Sequence, residues 1–124
     1  MTTETTSTLA SRSVCLTRED GRVVCEHLLV AARPLRRMRG LLGRAELPAD
    51  EGILLRPAGS VHTFFMRFPI DVVFLDRNEV VVGIEPAMAP WKTAGRRGAK
   101  AVVELAAGEC ERRGVQLGDR LVAA

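Results

Sequence analysis

The stretch that decides the fold is residues 70–84, IDVVFLDRNEVVVGI. Two apolar runs rich in Val and Ile lie on either side of the polar residues 76–79, a pattern typical of a β-hairpin. The first run, Ile70–Leu75, is almost continuously apolar, which is typical of a strand covered on both faces. We therefore expect Ile70–Leu75 to be the central strand of a sheet and residues 80–84 to be its partner.

Further strand and turn signals extend from this hairpin in both directions. Asp20-Gly21 lies between two apolar runs and is a strong signal for a second hairpin. Residues 85–98 contain two prolines and Trp91, and we interpret them as a long irregular connection, which is often functional in a compact domain. The remaining predicted strands are 13–18, 22–30, 53–56, 101–105 and the end of 115–122.

Two short helical segments are expected. Pro34 suits the first position of a helix and Gly43 its end, and the leucines between them recur at helical spacing opposite several arginines. Arg39 falls at the edge of the apolar stripe, so it is the arginine best placed to reach inward. A second helical turn is expected within 107–114. The fold class predicted from these elements is α+β, mostly β.

The length of 124 residues is suited to one domain with a modest core. We expect a disordered, Thr- and Ser-rich tail over 1–12 and a single domain over 13–124. The tail lacks the apolar segment of an export signal, and no stretch approaches the ~18 apolar residues of a membrane span. These features predict a cytoplasmic protein without a membrane partner, and the odd number of cysteines predicts no disulfide framework.

The net charge and the aromatic residues indicate whether the protein binds nucleic acid. The formal charge is only +3, and the arginines are interspersed with acidic residues along most of the chain. A stacking platform for single strands would need exposed rings among surface cations. The aromatic residues are Phe64, Phe65, Phe68, Phe74 and Trp91. We interpret most of them as core, so no nucleic-acid partner is predicted.

Four motifs occur together in this chain: RMRGLLGR at 37–44, VHTFFMRFPIDVVFLD at 61–76, the pair Pro90-Trp91, and VVELAAGECERRGVQLGDRL at 102–121. With these motifs the chain resembles the bacterial and archaeal family known as domain of unknown function 192, or uncharacterised protein family 0127. The resemblance implies a small α+β domain with a curved, barrel-like mixed sheet and a short helix carrying Arg39 and Gly40. It implies no reaction or ligand.

The candidate site consists of residues whose side chains could bind a ligand. His62 could act as an acid, a base or a ligand near neutral pH, although a lone His is more often structural. Asp71 shares a strand face with Val73, so its carboxylate should enter an apolar layer and need a partner, with Arg39 and Arg67 as the candidates. We expect one partly open cleft formed by Arg39, His62, Met66, Arg67 and Asp71 and bordered by Trp91.

Two functions remain open on the sequence. The first is a binding module for a small anionic or carbohydrate-like ligand, or for a protein partner. The second is a small enzyme in which His62 and Asp71 form an acid-base pair beside Arg67. We favour binding, because no nucleophile or cofactor motif accompanies the pair. No metal or cofactor is expected, and the protein should be a monomer or a small homo-oligomer.

Overall fold

A computed structural model describes residues 13–31 and 46–124. Within these residues the protein is mostly β with very little helix, as the sequence predicts. The expected tail at 1–12 and the helix expected at 34–43, with Arg39 and Gly40, lie outside the described residues. The strands are β1 (Ser13–Arg18), β2 (Val23–Ala31), β3 (Glu51–Leu55), β4 (Ser60–His62), β5 (Ile70–Leu75), β6 (Val81–Met88), β7 (Thr93–Gly95), β8 (Ala101–Ala106) and β9 (Leu121–Ala123), and the helix is α1 (Glu109–Arg112).

Seven of these strands form one mixed sheet in the order β6-β5-β8-β3-β2-β1-β9. Only β2 and β3 pair in parallel within this part of the chain, and the other ladders are antiparallel. The expected barrel-like closure is not confirmed, because no ladder joins the edge strands β6 and β9. Their ends approach each other at an isolated bridge between Val80 and Arg120. Across the described ranges, no helix is both long and apolar enough to cross a membrane.

The strand β5 is buried along its whole length but is not central, because it lies second in the sheet order and β3 lies in the middle. The prediction of a central strand was therefore wrong. Side chains alternate along β5, so that Val73 and Leu75 enter one core layer and Val72 and Phe74 enter another on the opposite face. A strand with a core layer on each face reads as continuously apolar wherever it lies in the sheet.

Both predicted hairpins form. Gly21 has a φ of +91° in the turn between β1 and β2, a conformation that glycine adopts at low cost. In the turn after β5, one carboxylate oxygen of Asp76 accepts the backbone N–H groups of Asn78 at 2.8 Å and Val80 at 3.0 Å. Local bonds of this kind explain why polar residues at 76–79 end one strand and begin the next.

The C-terminal third of the chain differs from prediction in one respect. The helical turn expected within 107–114 is α1, and a final short strand follows it, as expected. Residues 85–98, however, are not one irregular connection. They continue β6 to Met88, and after a turn they form β7, which pairs with β4 as a separate two-stranded sheet. This small sheet, together with the turn before β7, positions the candidate site.

Candidate functional site

Four rings lie together at the end of the small sheet, and we call His62, Phe64, Phe65 and Trp91 the aromatic cluster. The rings of His62 and Phe64 stack with centroids 4.7 Å apart, and those of Phe64 and Trp91 stack at 5.8 Å. Phe65 contacts Trp91 at 4.6 Å with a tilt of 59°. Phe65 is 64% exposed and Trp91 58% exposed, so large apolar surfaces face solvent.

The backbone is strained where it presents these rings. Phe65 has a φ of +68° and Trp91 a φ of +66°. A bulky residue rarely adopts this left-handed conformation, which costs on the order of 1–3 kcal/mol. Strained residues persist only where the surrounding structure holds them, and they concentrate at functional sites. The two most exposed residues of the aromatic cluster, Phe65 and Trp91, therefore both have a strained backbone.

Thr63 holds the two strained segments against each other. Its side chain is fully buried, and its hydroxyl donates to the carbonyl of Ala89 at 2.7 Å and accepts the N–H of Lys92 at 2.9 Å. Its carbonyl accepts the N–H groups of Trp91 at 2.9 Å and Met66 at 3.2 Å. These bonds fix the turn that carries Phe65 to the turn that carries Trp91.

Two exposed cations flank the aromatic cluster in the chain. Arg67 follows Phe65 by two residues, and Lys92 follows Trp91 directly. Neither side chain forms an ion pair or hydrogen bond within the described part of the chain. The segments 57–70 and 86–103, which contain the whole cluster, have no Asp or Glu. The only charged side chains in the two segments that carry the aromatic cluster are therefore basic.

The structure brings together part of the predicted cleft. His62 and Trp91 belong to the aromatic cluster, and Arg67 lies beside it in the chain. Met66 points into the core instead, where it is buried. Arg39 lies outside the described residues, so its place in the cleft is a prediction.

Asp71 has a different environment from the one predicted. It does share the face of Val73, as expected, and it is only 1% exposed. Its partners are backbone amides: one carboxylate oxygen accepts the N–H of Ala87 at 2.8 Å and the other that of Cys110 at 2.9 Å. The chain bends between Arg67 and Pro69, so the shared face expected for Arg67 and Asp71 does not form. Arg67 is exposed and forms no ion pair with Asp71.

The acid-base pair of the enzyme hypothesis is not assembled. Both oxygens of Asp71 are engaged in the core, and no hydrogen bond joins Asp71 to His62. The Nδ1 atom of His62 instead accepts the N–H of Phe64 at 3.3 Å, which places the imidazole against the ring that it stacks on. His62 thus acts here as a member of the aromatic cluster.

The cysteines show no sign of nucleophilic or metal chemistry in the described chain. All three are free thiols. Burial raises the pKa of Cys25 to about 12, and burial, reinforced by the negative charge of Asp71, raises that of Cys110 further. Both thiols are therefore protonated and unreactive at neutral pH. Among the described residues, no group of three or more His, Cys, Asp or Glu side chains could hold a metal ion.

Sequence reasoning missed Phe64, Phe65 and Lys92. The interpretation of most aromatic residues as core was correct for Phe68 and Phe74 but not for Phe64 and Phe65, and Trp91 is exposed. A signal was present in the sequence, because adjacent aromatic residues cannot both face one core layer of a strand. The absence of acidic residues across both segments was a second signal. Neither shows by itself that the two segments meet.

Comparisons with known proteins show which family the chain belongs to. The family model for domain of unknown function 192, described as "Uncharacterized ACR", matches residues 15–123. A UPF0127 protein of Pyrococcus furiosus is 44% identical over 63 residues, which are 50% of this chain and 53% of that protein. A UPF0127 protein of Thermococcus sibiricus is 29% identical over 111 residues, covering 86% of this chain and 71% of its own. The chain thus spans about half the length of the first of these relatives.

Two solved structures are similar over most of their length. A protein of Sinorhizobium meliloti, named as a candidate transcription regulator, has a TM-score of 0.75 and 26% identity, and the match covers 89% of this chain and 91% of that one. A protein of unknown function from Novosphingobium aromaticivorans has a TM-score of 0.74 and 24% identity, covering 89% and 83%. With the family match over nearly all of the described fold, the chain belongs to the family of domain of unknown function 192, also called UPF0127.

Proposed function

We propose that this protein is a binding module and that the aromatic cluster is its ligand-binding surface. The observation that carries the proposal is the combination of exposure and strain at Phe65 and Trp91. Holding a bulky residue at positive φ costs free energy, and leaving its ring in solvent recovers little of it by burial. Folding stability therefore does not account for these rings, whereas contact with a ligand does.

The chemistry of the surface favours a small anionic or carbohydrate-like ligand. Exposed rings offer flat apolar faces to a ring of the ligand. Arg67 and Lys92 add positive charge without local acidic partners. A protein partner that presents an apolar, acidic surface would use the same features and would also change the emission of Trp91.

The enzyme alternative receives no support from the site. It requires the carboxylate of Asp71 to exchange a proton with His62 or with a substrate. That carboxylate is buried and bonded to the amides of Ala87 and Cys110. A structural role for Asp71 accounts for its geometry without any reaction.

The proposal includes a cytoplasmic location and a monomer or small homo-oligomer. The three free thiols support the location, because a reducing compartment keeps cysteines unpaired. The exposed aromatic cluster and the nearby basic residues are suited to binding a ligand from solution.

The fluorescence of Trp91 tests the proposal directly. Trp91 is the single tryptophan of the chain and lies in the aromatic cluster, so a ligand that covers it should change its emission. We would screen anionic metabolites, sugars and sugar acids by this signal and by thermal shift. A ligand at 100 times its Kd should add about 2.7 kcal/mol of apparent stability.

The variant Phe65→Gly separates binding from folding. Glycine relieves the positive φ, so the melting temperature should be unchanged or higher while binding is lost. Leu117→Ala is the control, because Leu117 is another exposed apolar residue, 67% exposed, outside the cluster. The proposal fails if Phe65→Gly binds every ligand as well as the parent protein. It also fails if no ligand or protein partner perturbs Trp91.

A further inference from the structure

We infer that the aromatic cluster selects a ligand that joins a planar ring to an anionic group, which is the chemistry of a nucleotide. This inference rests on the proposed binding function and names the ligand class of the same surface. Two independent features of the described chain carry it: the alignment of the rings and the unpaired cations that lie next to them in the chain.

The rings form a stack that a further planar ring would continue. The planes of His62 and Phe64 differ by 28°, and those of Phe64 and Trp91 by 27°. Near-parallel, offset rings at these distances are the arrangement that aromatic systems prefer. The stack ends at Trp91, which is 58% exposed. Phe65 is 64% exposed and lies against Trp91 with a tilt of 59°, so it adds a second open ring beside the stack without belonging to it. A nucleobase can stack on such rings whatever its identity, since every base has a π-face.

The cations supply the other half of the ligand. Arg67 and Lys92 are exposed and have no partner in the described chain, unlike Arg96, which pairs with Glu85 at 3.5 Å. The segments 57–70 and 86–103 also place the exposed Arg97 and Lys100 in acid-free sequence. Arg and Lys both suit a phosphate, which Arg can bind through two N–H groups and Lys as a point charge.

Neither feature alone defines the ligand. A neutral apolar ligand would use the rings and leave the cations unused, and a sugar phosphate would use the cations and gain no aromatic stacking. The sequence argument against a nucleic-acid partner rested on the interspersed charges and on the interpretation of most aromatic residues as core. Phe64, Phe65 and Trp91 are exposed, so its second part does not hold. The ring and phosphate could come from a free nucleotide or from a nucleotide within a single strand.

Matched ligands test the inference. We would titrate the full chain with adenosine 5′-monophosphate, adenosine and ribose 5-phosphate, following Trp91 fluorescence and calorimetry. Adenosine lacks the anion and should bind roughly tenfold or more weakly than the monophosphate. Ribose 5-phosphate lacks the base and should bind roughly 5- to 150-fold more weakly. Affinity for the monophosphate should fall as salt is added.

Matched variants show whether the cluster is responsible. Arg67→Gln and Lys92→Gln should each weaken binding of the monophosphate roughly two- to fivefold and leave binding of adenosine unchanged. Arg77→Gln is the control, because Arg77 is also exposed and lies in the turn at the far end of β5. Phe65→Ala should weaken binding of both ligands.

A single-stranded oligoadenylate distinguishes the two sources. Much tighter binding of the oligonucleotide than of the monophosphate would identify a single strand as the ligand, and equal binding a free nucleotide; both results support the inference. Equal affinity for adenosine and the monophosphate would overturn it, as would equal affinity for the monophosphate and ribose 5-phosphate. If none of these compounds binds while another ligand class perturbs Trp91, the inference fails and the proposed function stands.

Discussion

At the scale of single residues, Asp71 shows how a buried carboxylate can serve the backbone. Its two oxygens accept separate N–H groups, from Ala87 in β6 and from Cys110 in α1. Asp71→Asn keeps one acceptor and turns an NH₂ group toward the other amide, leaving that amide unsatisfied. We expect a loss of about 1–3 kcal/mol in the free energy of unfolding, measured by urea denaturation.

Asp76→Asn is the matched control for this substitution. Asp76 also accepts two backbone amides, but both bond to the same oxygen, which an asparagine retains. The change in stability should therefore be small. Equal losses for the two substitutions would contradict the structural role assigned to Asp71.

Gly52 is a second residue whose identity is dictated by close packing. A Cβ at this position in β3 would lie 2.8 Å from the backbone oxygen of Glu104 and 2.8 Å from a methyl group of Leu105. Because the backbone of β8 cannot move without breaking its ladders, Gly52→Ala should destabilise the protein by about 1–3 kcal/mol in thermal or urea unfolding. Gly59→Ala, with a single contact at 3.1 Å to a loop carbonyl, should cost less.

At the scale of elements, the small β4–β7 sheet depends on Thr63. Thr63→Val preserves the shape of the side chain and removes the hydroxyl, so the carbonyl of Ala89 and the N–H of Lys92 lose their partner. We expect a loss of about 1–3 kcal/mol in stability. The turn that carries Trp91 should also loosen, which near-UV circular dichroism and acrylamide quenching of Trp91 would detect.

Thr17→Val provides the comparison. Thr17 forms one long, exposed hydrogen bond of 3.5 Å to the carbonyl of Val122, so its loss should change stability little and leave Trp91 unaffected. If Thr63→Val lowers stability but leaves the Trp91 signals as they are, Thr63 does not position the aromatic cluster.

At the scale of the whole molecule, an ion-pair network joins the C-terminal helix to the sheet. Arg113 contacts Glu109 in α1 at 3.0 Å and Glu26 in β2 at 2.9 Å, and Arg112 also bonds Glu109. The hydrogen bonds from Arg112 and then Arg113 hold the pKa of Glu109 below its ordinary value, and the bond from Arg113 does the same for the pKa of Glu26.

The network predicts how stability depends on pH. Because the folded pKa values lie below the unfolded ones, the unfolded chain binds more protons in acid, and the stabilisation is complete above about pH 4.3 and lost as the pH falls further. Urea unfolding from pH 7 to pH 3 should show this decline. Glu109→Gln should lower stability at pH 7 and flatten the decline, whereas Glu111→Gln, at an exposed position without an ion pair in the described chain, should do neither.

Much of the sheet follows from the sequence alone. The alternation along Ile70–Leu75 correctly placed Asp71 on the face of Val73, because side chains of a strand must alternate between its faces. The turns at Asp20-Gly21 and at 76–79 follow from local backbone preferences and local hydrogen bonds. The family also follows, since its motifs are read directly from the chain. These features depend on neighbours in sequence, so the sequence determines them.

The candidate site was decided by the tertiary structure. The positive φ values of Phe65 and Trp91 help to decide that the rings of the aromatic cluster face solvent. The hydrogen bonds of Thr63 to residues 89–92 also contribute, and these residues lie more than twenty positions away in the chain. The partners of Asp71 likewise come from Ala87 in β6 and from Cys110 in α1, which lies far along the sequence. Local sequence patterns show that a buried carboxylate needs a hydrogen-bond partner, and that an aromatic ring must lie either in the core or on the surface. Only the folded backbone determines which distant group meets it, because such contacts form when separate segments pack together.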